Sequence, residues 1–495
     1  MKLLEKLLTR VTMYTLVGSV LFAIILTALA LSIFQAVSFG PLALIASLLV
    51  FLGVSVGVNF GLGKLYGISS SIRSAGITAL ILTALFTPTL EPGVLLQYAL
   101  IATIAQASKY ILTYGGRHIF NPAAFGALAG GLLGLQFASW WVATPGLFIV
   151  ALLGAFLVLY KTRMLAVSGL FAGISWMLII LSGIIRGDEI GGVLAVALAS
   201  WPVIFIAGFM LSEPLTLPPR RWQKFTIAAL VGIIVALPFQ IGAFHTSPEL
   251  ALLIGNTVAF VLAFKQRKGL KLTLTGRTSL TPTVEEYTFT SPTPIPFEAG
   301  QYIELTLPHK KEDLRGVRRS FSITNKPNEK TISLGIKFYE PSSSFKKALR
   351  VLPIGTTVQS TGITGDFVLP KDPDTKLLFI AGGIGVTPFI SHILSLSPEA
   401  QKNATLLYFM RNPTEAAYKD VLDASNVNAR YFVAEEKQKG FNVAPFATSE
   451  LIERYTPDLA ERHVYISGPP VMVSATKNLL RGKAEEIKSD YFSGY

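Results

Sequence analysis

The chain contains no cysteine. Disulfides, cysteine-ligated iron–sulfur clusters and cysteine zinc sites are therefore excluded, and any redox cofactor is organic or is held by histidine, methionine or carboxylates. Histidine is also scarce, at five in 495 residues, and charged residues make up only 15%. No spacing suggests a metal site. The few charges are unevenly placed: sparse before Lys265, ordinary after it. The net charge of +13 falls largely in short loops between apolar segments. Nucleic-acid binding needs a basic patch on a soluble domain, so this pattern argues against nucleic acid and for a lipid bilayer as the partner.

What is abundant is apolar sequence, 51% of the chain. A bilayer-spanning helix needs roughly 20 such residues. Ten segments qualify, at about 12–35, 41–62, 74–90, 94–113, 119–137, 140–160, 164–184, 190–213, 224–243 and 248–265. Arg10 runs straight into the first with no small-residue cleavage pattern, so that segment is read as a retained span. Lys2, Lys6, Arg10, Lys64, Arg73, Lys109, Arg117, Lys161, Arg163, Arg220, Arg221, Lys224, Lys265, Arg267 and Lys268 all fall on one side of this arrangement. The other side has only Arg186, beside Asp188 and Glu189. The expectation is a multi-pass cell-membrane protein with both termini cytoplasmic.

Ala84-Leu-Phe-Thr-Pro-Thr-Leu-Glu-Pro92 closes the third segment, and Gly208-Phe-Met-Leu-Ser-Glu-Pro-Leu-Thr-Leu-Pro-Pro219 closes the eighth. A similarity five spans apart implies copies of opposite topology, an inverted repeat, whose proline-interrupted helices commonly line a site near the midplane. The bland reading is two helix ends with proline as a stop signal. Lys109-Tyr-Ile-Leu-Thr-Tyr-Gly-Gly-Arg-His-Ile-Phe-Asn-Pro-Ala-Ala-Phe-Gly126 is a polar, glycine-rich break that is costly in a bilayer unless it lines a cavity or binds something.

This stretch resembles the NqrB/RnfD family, the flavin-carrying membrane subunits of sodium-pumping NADH:quinone reductase and of the Rnf complex. Phe120-Asn-Pro-Ala123 carries the likeness, with Leu211-Ser-Glu-Pro-Leu-Thr216 and Gly255-Asn256 in support. It covers roughly residues 40 to 265. Members attach FMN covalently to a threonine in a Ser-Gly-Ala-Thr-like motif after the fifth span. Here that loop has shrunk to about Gln136–Trp140, and Ser168-Gly169 lacks the following Ala-Thr. The implication is a second, non-covalent flavin, FMN or riboflavin, with Lys109, Arg117, His118 and Asn121 as its candidate ligands. Arg117 and His118 could instead belong to a loop anchored at lipid headgroups. Haem is rejected: only His118 and His245 occur in this half, and the topology places them at opposite faces.

From residue 271 the pattern changes. Lys271-Leu-Thr-Leu-Thr and Gln301-Tyr-Ile-Glu-Leu-Thr-Leu alternate as strands of a small antiparallel barrel. Arg318-Arg-Ser-Phe-Ser-Ile323 resembles the Arg-x-Tyr/Phe-Ser motif of the ferredoxin–NADP reductase superfamily. Phe321 suits an isoalloxazine face, Ser322 a hydrogen bond to flavin N5, and Arg319 the FAD pyrophosphate, with Ile323 completing the group. Pro341-Ser-Ser-Ser-Phe-Lys-Lys-Ala-Leu349 matches the second FAD segment, with Ser343 and Ser344 as phosphate ligands. Gly362-Ile-Thr-Gly-Asp-Phe367 resembles the family's Gly-Pro-x-Gly-x-Phe turn, with Ile363 where proline is usual and Gly365 at the turn.

Lys376-Leu-Leu-Phe-Ile-Ala-Gly-Gly-Ile-Gly-Val-Thr-Pro388 is an apolar strand entering a glycine-rich turn and a helix. Gly382, Gly383, Gly385, Thr387 and Pro388 are its candidate nicotinamide contacts, and Gly468, Pro469 and Met472 follow at a second strand end. Arg411 is a candidate adenosine contact or a surface charge. Phe492 and Tyr495 are candidates for the terminal aromatic that covers the flavin face in several superfamily members, Tyr495 being assigned to the catalytic group with Phe321 and Ser322.

The expected architecture is a multi-domain chain: a polytopic α-helical membrane domain over 1–266, a β-barrel FAD domain over 271–372, and an α/β nicotinamide-binding domain over 373–495. The expected activity moves electrons from cytoplasmic NADH or NADPH through FAD into the membrane half and out to an extracytoplasmic acceptor, for which a flavoprotein is a candidate. Two alternatives stand beside it: quinone reduction at the cytoplasmic face, and a redox-coupled ion or solute transporter with Glu213 as the main intramembrane carboxylate. Nothing in the sequence indicates the oligomeric state.

Overall fold

The computed structural model describes residues 8, 11–66, 71–114, 117–237, 239–241, 244–264, 269–310, 313, 317–434 and 438–491. It divides into two compact units, one of Val11–Arg267 and one of Lys268–Tyr495 with Met1–Arg10.

The first unit is helical. In chain order its described helices are α1 (Met13–Ile33), α2 (Pro41–Leu65), α3 (Ile72–Leu85), α4 (Pro92–Ile111), α5 (Pro122–Leu132), α6 (Pro145–Thr162), α7 (Leu165–Arg186), α8 (Ile190–Met210), α9 (Arg221–Ala236) and α10 (Pro248–Ala263). By length and composition five are long and apolar enough to cross a membrane: α1, α2, α6, α7 and α8. Starts are marked chemically. Proline occupies the first turn of α2, α4, α5, α6 and α10, where its missing N–H costs nothing, and Asn121 and Ser247 cap α5 and α10 through their side chains.

Several helices differ from their apolar runs. α3 stops at Leu85, and residues 86–91 are extended, because Pro88 and Pro92 cannot continue the hydrogen-bond ladder. α5 covers only 11 residues of its run. α8 contains two π-helical stretches, Val196–Ser200 and Ile206–Met210, on either side of a break at Trp201-Pro202. Two-residue antiparallel ribbons precede α5 and α10: Thr113–Tyr114 with Arg117–His118, and Gln240–Ile241 with Phe244–His245. α2 packs on α4 and α4 on α5; in the same order, α7 packs on α9 and α9 on α10. Small residues permit this closeness: a Cβ on Gly126 of α5 would stand 2.6 Å from the Ala105 side chain of α4.

The second unit has two sheets. In the first, β1 (Leu270–Thr281), β2 (Val284–Thr290), β3 (Tyr302–Thr306), β4 (Arg318–Ser322), β5 (Thr331–Lys337) and β6 (Thr357–Thr364) form an antiparallel sheet in the order β4-β3-β6-β1-β2-β5. Its edges approach at an isolated bridge between Ile323 and Leu334, and the Thr324 N–H donates to the Ser333 carbonyl at 2.9 Å. Inward Leu272, Leu274, Phe289, Ile303, Leu305 and Ile332 form the core under the helix α11 (Ser344–Arg350). In the second sheet, β7 (Lys376–Gly382), β8 (Ala404–Met410), β9 (Asn428–Val433), β10 (Asn442–Val443), β11 (Arg462–Gly468) and β12 (Glu486–Tyr491) run parallel in the order β10-β9-β8-β7-β11-β12. The order reverses at β7, and such a switch point opens a crevice at the carboxyl ends of the strands.

Candidate functional site

The first motif lies on β4, which pairs with β3 so that Ser322 opposes Tyr302 and Arg319 opposes Leu305. Strand alternation places Arg319 and Phe321 on one face. Both reach Phe345 of α11: the guanidinium lies 5.3 Å from its ring and the Phe321 ring 5.9 Å from it. The first and second motifs, distant in sequence, therefore meet. The Ser322 hydroxyl is buried and has no hydrogen-bond partner among the described residues. Leaving such a group unsatisfied costs roughly 1–3 kcal/mol, so its geometry fits a ligand acceptor. The Ile323 side chain lies wholly in the sheet core, which leaves its main chain to face a ligand.

The serines divide their labour. Ser343 Oγ accepts from the Lys346 amide at 3.3 Å and caps α11. The Ser344 amide donates to Asp313 Oδ2 at 3.1 Å, and Ser344 Oγ accepts from the Asp313 amide at 2.9 Å, the same distance at which it meets His309 Nε2. The other Asp313 oxygen stands 3.5 Å from Arg319. A carboxylate thus already occupies the space between Ser344 and Arg319, which is the chemistry a phosphate oxygen would need. The sequence reading missed Asp313 and His309, which lie outside any recognisable motif.

Gly365 brings the third motif to the same place. It has φ +130°, its carbonyl accepts from Gln301 Nε2 at 3.2 Å, and a Cβ on it would stand 3.2 Å from the Tyr302 ring. Burial pushes the Tyr302 phenol up, and the Asp490, Glu304 and Asp366 carboxylates raise it further. Asp490 belongs to β12, so this strand comes close to the flavin motifs. Phe492 and Tyr495 lie outside the described residues.

The nicotinamide motifs converge at the ends of adjacent strands, where Ala381 of β7 pairs with Ser467 of β11. A Cβ on Gly385 would stand 2.5 Å from the Ser467 carbonyl, and one on Gly382 would stand 2.9 Å from Pro469 and collide with the Met472 sulfur. Glycine is required at both by backbone approach. Gly383 and Gly468 have φ +53° and +155°. One tight turn, Gly383–Val386, leads into α12 (Thr387–Ser395), with Pro388 in its first turn. Thr387 Oγ1 donates to the Ile384 carbonyl at 2.9 Å, and its methyl faces Gly335 of β5. Arg411 is exposed at the end of β8, and its carbonyl accepts from the Ala434 amide at 3.2 Å. Also missed was Glu286, whose Oε1 accepts from Tyr418 at 2.9 Å and from Thr324 at 3.0 Å, joining the two sheets.

In the helical unit, all four predicted polar residues gather around Glu213. Glu213 Oε1 lies 2.9 Å from His118 Nε2, and Oε2 accepts from Asn121 Nδ2 at 3.0 Å. The Asn121 amide donates to Asn256 Oδ1 at 2.8 Å, and Arg117 donates to the Pro214 carbonyl at 2.7 Å. Lys109 donates to the Ser74 carbonyl and hydroxyl at 3.1 and 3.2 Å. Lys109, Asn121, Ser74, Ser212 and Glu213 line a cavity of about 40 Å³ closed by apolar residues of α1 and α3. A buried carboxylate, Glu249, accepts from Trp140 Nε1 at 3.1 Å. Its position in the first turn of α10, after Ser247-Pro248, was the available signal for it.

Residues 271–369 match the oxidoreductase FAD-binding domain family and residues 379–478 the oxidoreductase NAD-binding domain family. The chain is 28% identical over 219 residues to the phenol hydroxylase P5 protein of Acinetobacter pittii, covering 42% of this chain and 60% of that protein. It is 28% identical over 252 residues to one subunit of the Na(+)-translocating NADH-quinone reductase of Idiomarina loihiensis, covering 40% of this chain and 61% of that subunit. The solved FAD/NAD-binding domain of nitric oxide dioxygenase from Vibrio cholerae aligns at 17% identity over 45% of this chain and 98% of that one, with a TM-score of 0.41. The chain thus spans about three fifths of the length of the first curated relatives it matches. Residues 271–478 of this chain thus carry an FAD-binding domain followed by an NAD-binding domain of an oxidoreductase.

Proposed function

We propose that the whole chain is a membrane-bound NAD(P)H oxidoreductase that delivers electrons from cytoplasmic nucleotide through FAD to its helical half, and from there to an extracytoplasmic acceptor such as a flavoprotein. The observation that carries this reading is the covalent union of the reductase module with an apolar helical unit whose interior holds the Lys109–His118–Asn121–Glu213 cluster beside a cavity. The charge distribution supports cytoplasmic termini. The matching packing orders of α2-α4-α5 and α7-α9-α10, each with its ribbon, support an inverted repeat.

Within the module, Arg319 and the Ser344 amide, which now engage Asp313, would hold the pyrophosphate in its place, Phe321 would pack on the ring system, and Ser322 would offer its hydroxyl to N5. Gly382, Gly385 and Gly468 let backbone approach the nucleotide. When bound, FAD supplies a two-electron acceptor that releases electrons singly. In the helical unit, Lys109 and Asn121 suit the phosphate and ring edges of a second, non-covalent flavin, but the cavity of about 40 Å³ has room for waters only, so Glu213 and its neighbours would have to move aside to admit one. Glu213 now engages Asn121 and His118, so binding there exchanges carboxylate contacts for ligand contacts.

The likeness to part of an NADH-quinone reductase favours quinone as the alternative acceptor. Flavin content separates the two. The purified chain is acid-extracted, and FAD, FMN and riboflavin are measured in supernatant and pellet. FAD with a second flavin in the supernatant is the expected result. FAD alone contradicts the two-flavin path and favours quinone reduction at the cytoplasmic face. Replacing Asn121 by alanine with Arg117→Ala should deplete the second flavin and spare FAD.

A further inference from the structure

α12 starts at the nicotinamide turn, and two neighbouring side chains on it reach the flavin segments. Ser391 Oγ donates to the Asn325 carbonyl at 2.8 Å, and Asn325 follows Ser322 by three residues. His392 Nε2 donates to the Phe367 carbonyl at 2.8 Å, and Phe367 follows Gly365 by two. Both side chains are fully buried. The His392 ring stacks on Phe367 at 5.7 Å and meets Phe379 of β7 and Tyr465 of β11 at 5.7 and 5.6 Å. The carbonyl acceptor requires the proton on Nε2, and Nδ1 has no hydrogen-bond partner among the described residues. The loop at Gly300 leaves room for this bond, because a Cβ there would collide with His392 Nε2 and the Phe367 carbonyl. One rigid helix is therefore tied at adjacent positions to two strand ends that carry the flavin motifs, while its first residue, Thr387, belongs to the nicotinamide motif.

We infer that Ser391 and His392 are positioning residues for hydride transfer: they fix the nicotinamide turn relative to Ser322 and so set the transfer rate rather than nucleotide affinity. This rests on the reading that the module reduces FAD with NAD(P)H. In that step the C4–H bond of the nicotinamide breaks, the hydride with both electrons goes to flavin N5, the nucleotide is oxidised and the flavin reduced. Sub-ångström placement matters because a misplacement of about 1 Å costs about a hundredfold in rate.

The test uses the full chain in detergent, loaded with FAD, mixed anaerobically with NADH or NADPH by stopped flow. Ser391→Ala removes one hydroxyl. The rate constant for flavin reduction at saturating nucleotide should fall about tenfold, while the apparent Kd stays within about twofold and FAD content is unchanged. The isotope effect with 4-deuterated nucleotide should become temperature-dependent, as a donor–acceptor distance that is no longer held would make it, and Ser391→Thr should restore both. His392→Gln, which keeps a donor, should lie between wild type and Ser391→Ala, and it carries the test alone if Ser391→Ala does not fold. Wild-type rates and isotope effects in the folded variants would overturn the inference. So would a rate loss matched by loss of FAD or of nucleotide affinity. A wild-type chain reduced by neither nucleotide would overturn the underlying reading itself, before any substitution is examined.

Discussion

The two halves of this molecule differ more in what they expose than in what they bury. In the reductase half Phe289, Phe379, Tyr408 and Tyr465 fill the interior, with Arg319, Lys346 and His392 buried as well, and few large apolar side chains are exposed. In the helical half Ser47, Ser55, Asn59, Gln106, Asn121, Ser175 and Asn256 are inside, while Phe22, Phe60, Leu100, Ile149 and Leu153 face outwards. The difference is the one expected if, as proposed, lipid surrounds the helical half. Water rewards the burial of apolar area, whereas lipid rewards nothing of the kind, so helices there associate through small residues and interhelical hydrogen bonds.

The contrast can be broken by substitution. The largest effect is expected from Phe379→Ala, which empties a fully buried site in β7: the reductase half should lose about 3–5 kcal/mol in denaturant unfolding. A loss below about 1 kcal/mol would show a core less tightly built than its packing implies.

Next comes acid. Burial lowers His392 to about 4 against an ordinary 6.5, with its bonds to the Phe367 and Ala299 carbonyls opposing the shift. Between those values the unfolded chain takes up a proton that the folded chain refuses. The stability this histidine contributes is complete above pH 6.5 and falls by about 1.4 kcal/mol per unit as pH drops towards 4. The pH slope of unfolding should be steeper in wild type than in His392→Gln; parallel slopes would remove His392 as its source.

In the helical half the sensitive change is polar. Asn256→Leu strips the Asn121 amide of its acceptor and should lower thermal stability in lipid by about 1–3 kcal/mol, although it makes the interior more apolar. An increase in stability would contradict the weight given to interhelical hydrogen bonds in this half. Ser322→Ala should slow flavin reduction about tenfold at unchanged FAD content, about 1.4 kcal/mol in the barrier. Unchanged hydride transfer would reject the role given to that hydroxyl. Smallest of all, Phe60→Ala on the outer face of α2 should change stability in lipid by less than about 0.5 kcal/mol.

The halves also differ in how far they could be read from sequence. Arg318–Ile323 and the turn at Gly382–Pro388 were legible because each packs its chemistry into consecutive residues. Their meeting with Phe345 and Gly468 follows from strand pairing, which spacing only hints at. The apolar runs announced the helices but not their ends: α3 halts at Leu85 because of prolines that also read as ordinary stop signals. Lys109, Arg117, His118 and Asn121 stood out as polar groups in an apolar stretch. The shared partner of His118 and Asn121, Glu213, is 92 residues beyond Asn121 in the chain. Ser391 and His392 were invisible as a latch, since the acceptors are main-chain carbonyls and leave no mark in side-chain chemistry.

The central claim is that electrons leave the FAD module through the helical half. The most direct measurement seals the full chain into vesicles with ferricyanide trapped inside and adds NADH or NADPH outside. Bleaching of the trapped ferricyanide, abolished in Arg117→Ala with Asn121→Ala, is the expected result. Nucleotide oxidation that reduces quinone added to the membrane while the trapped ferricyanide stays coloured would contradict it.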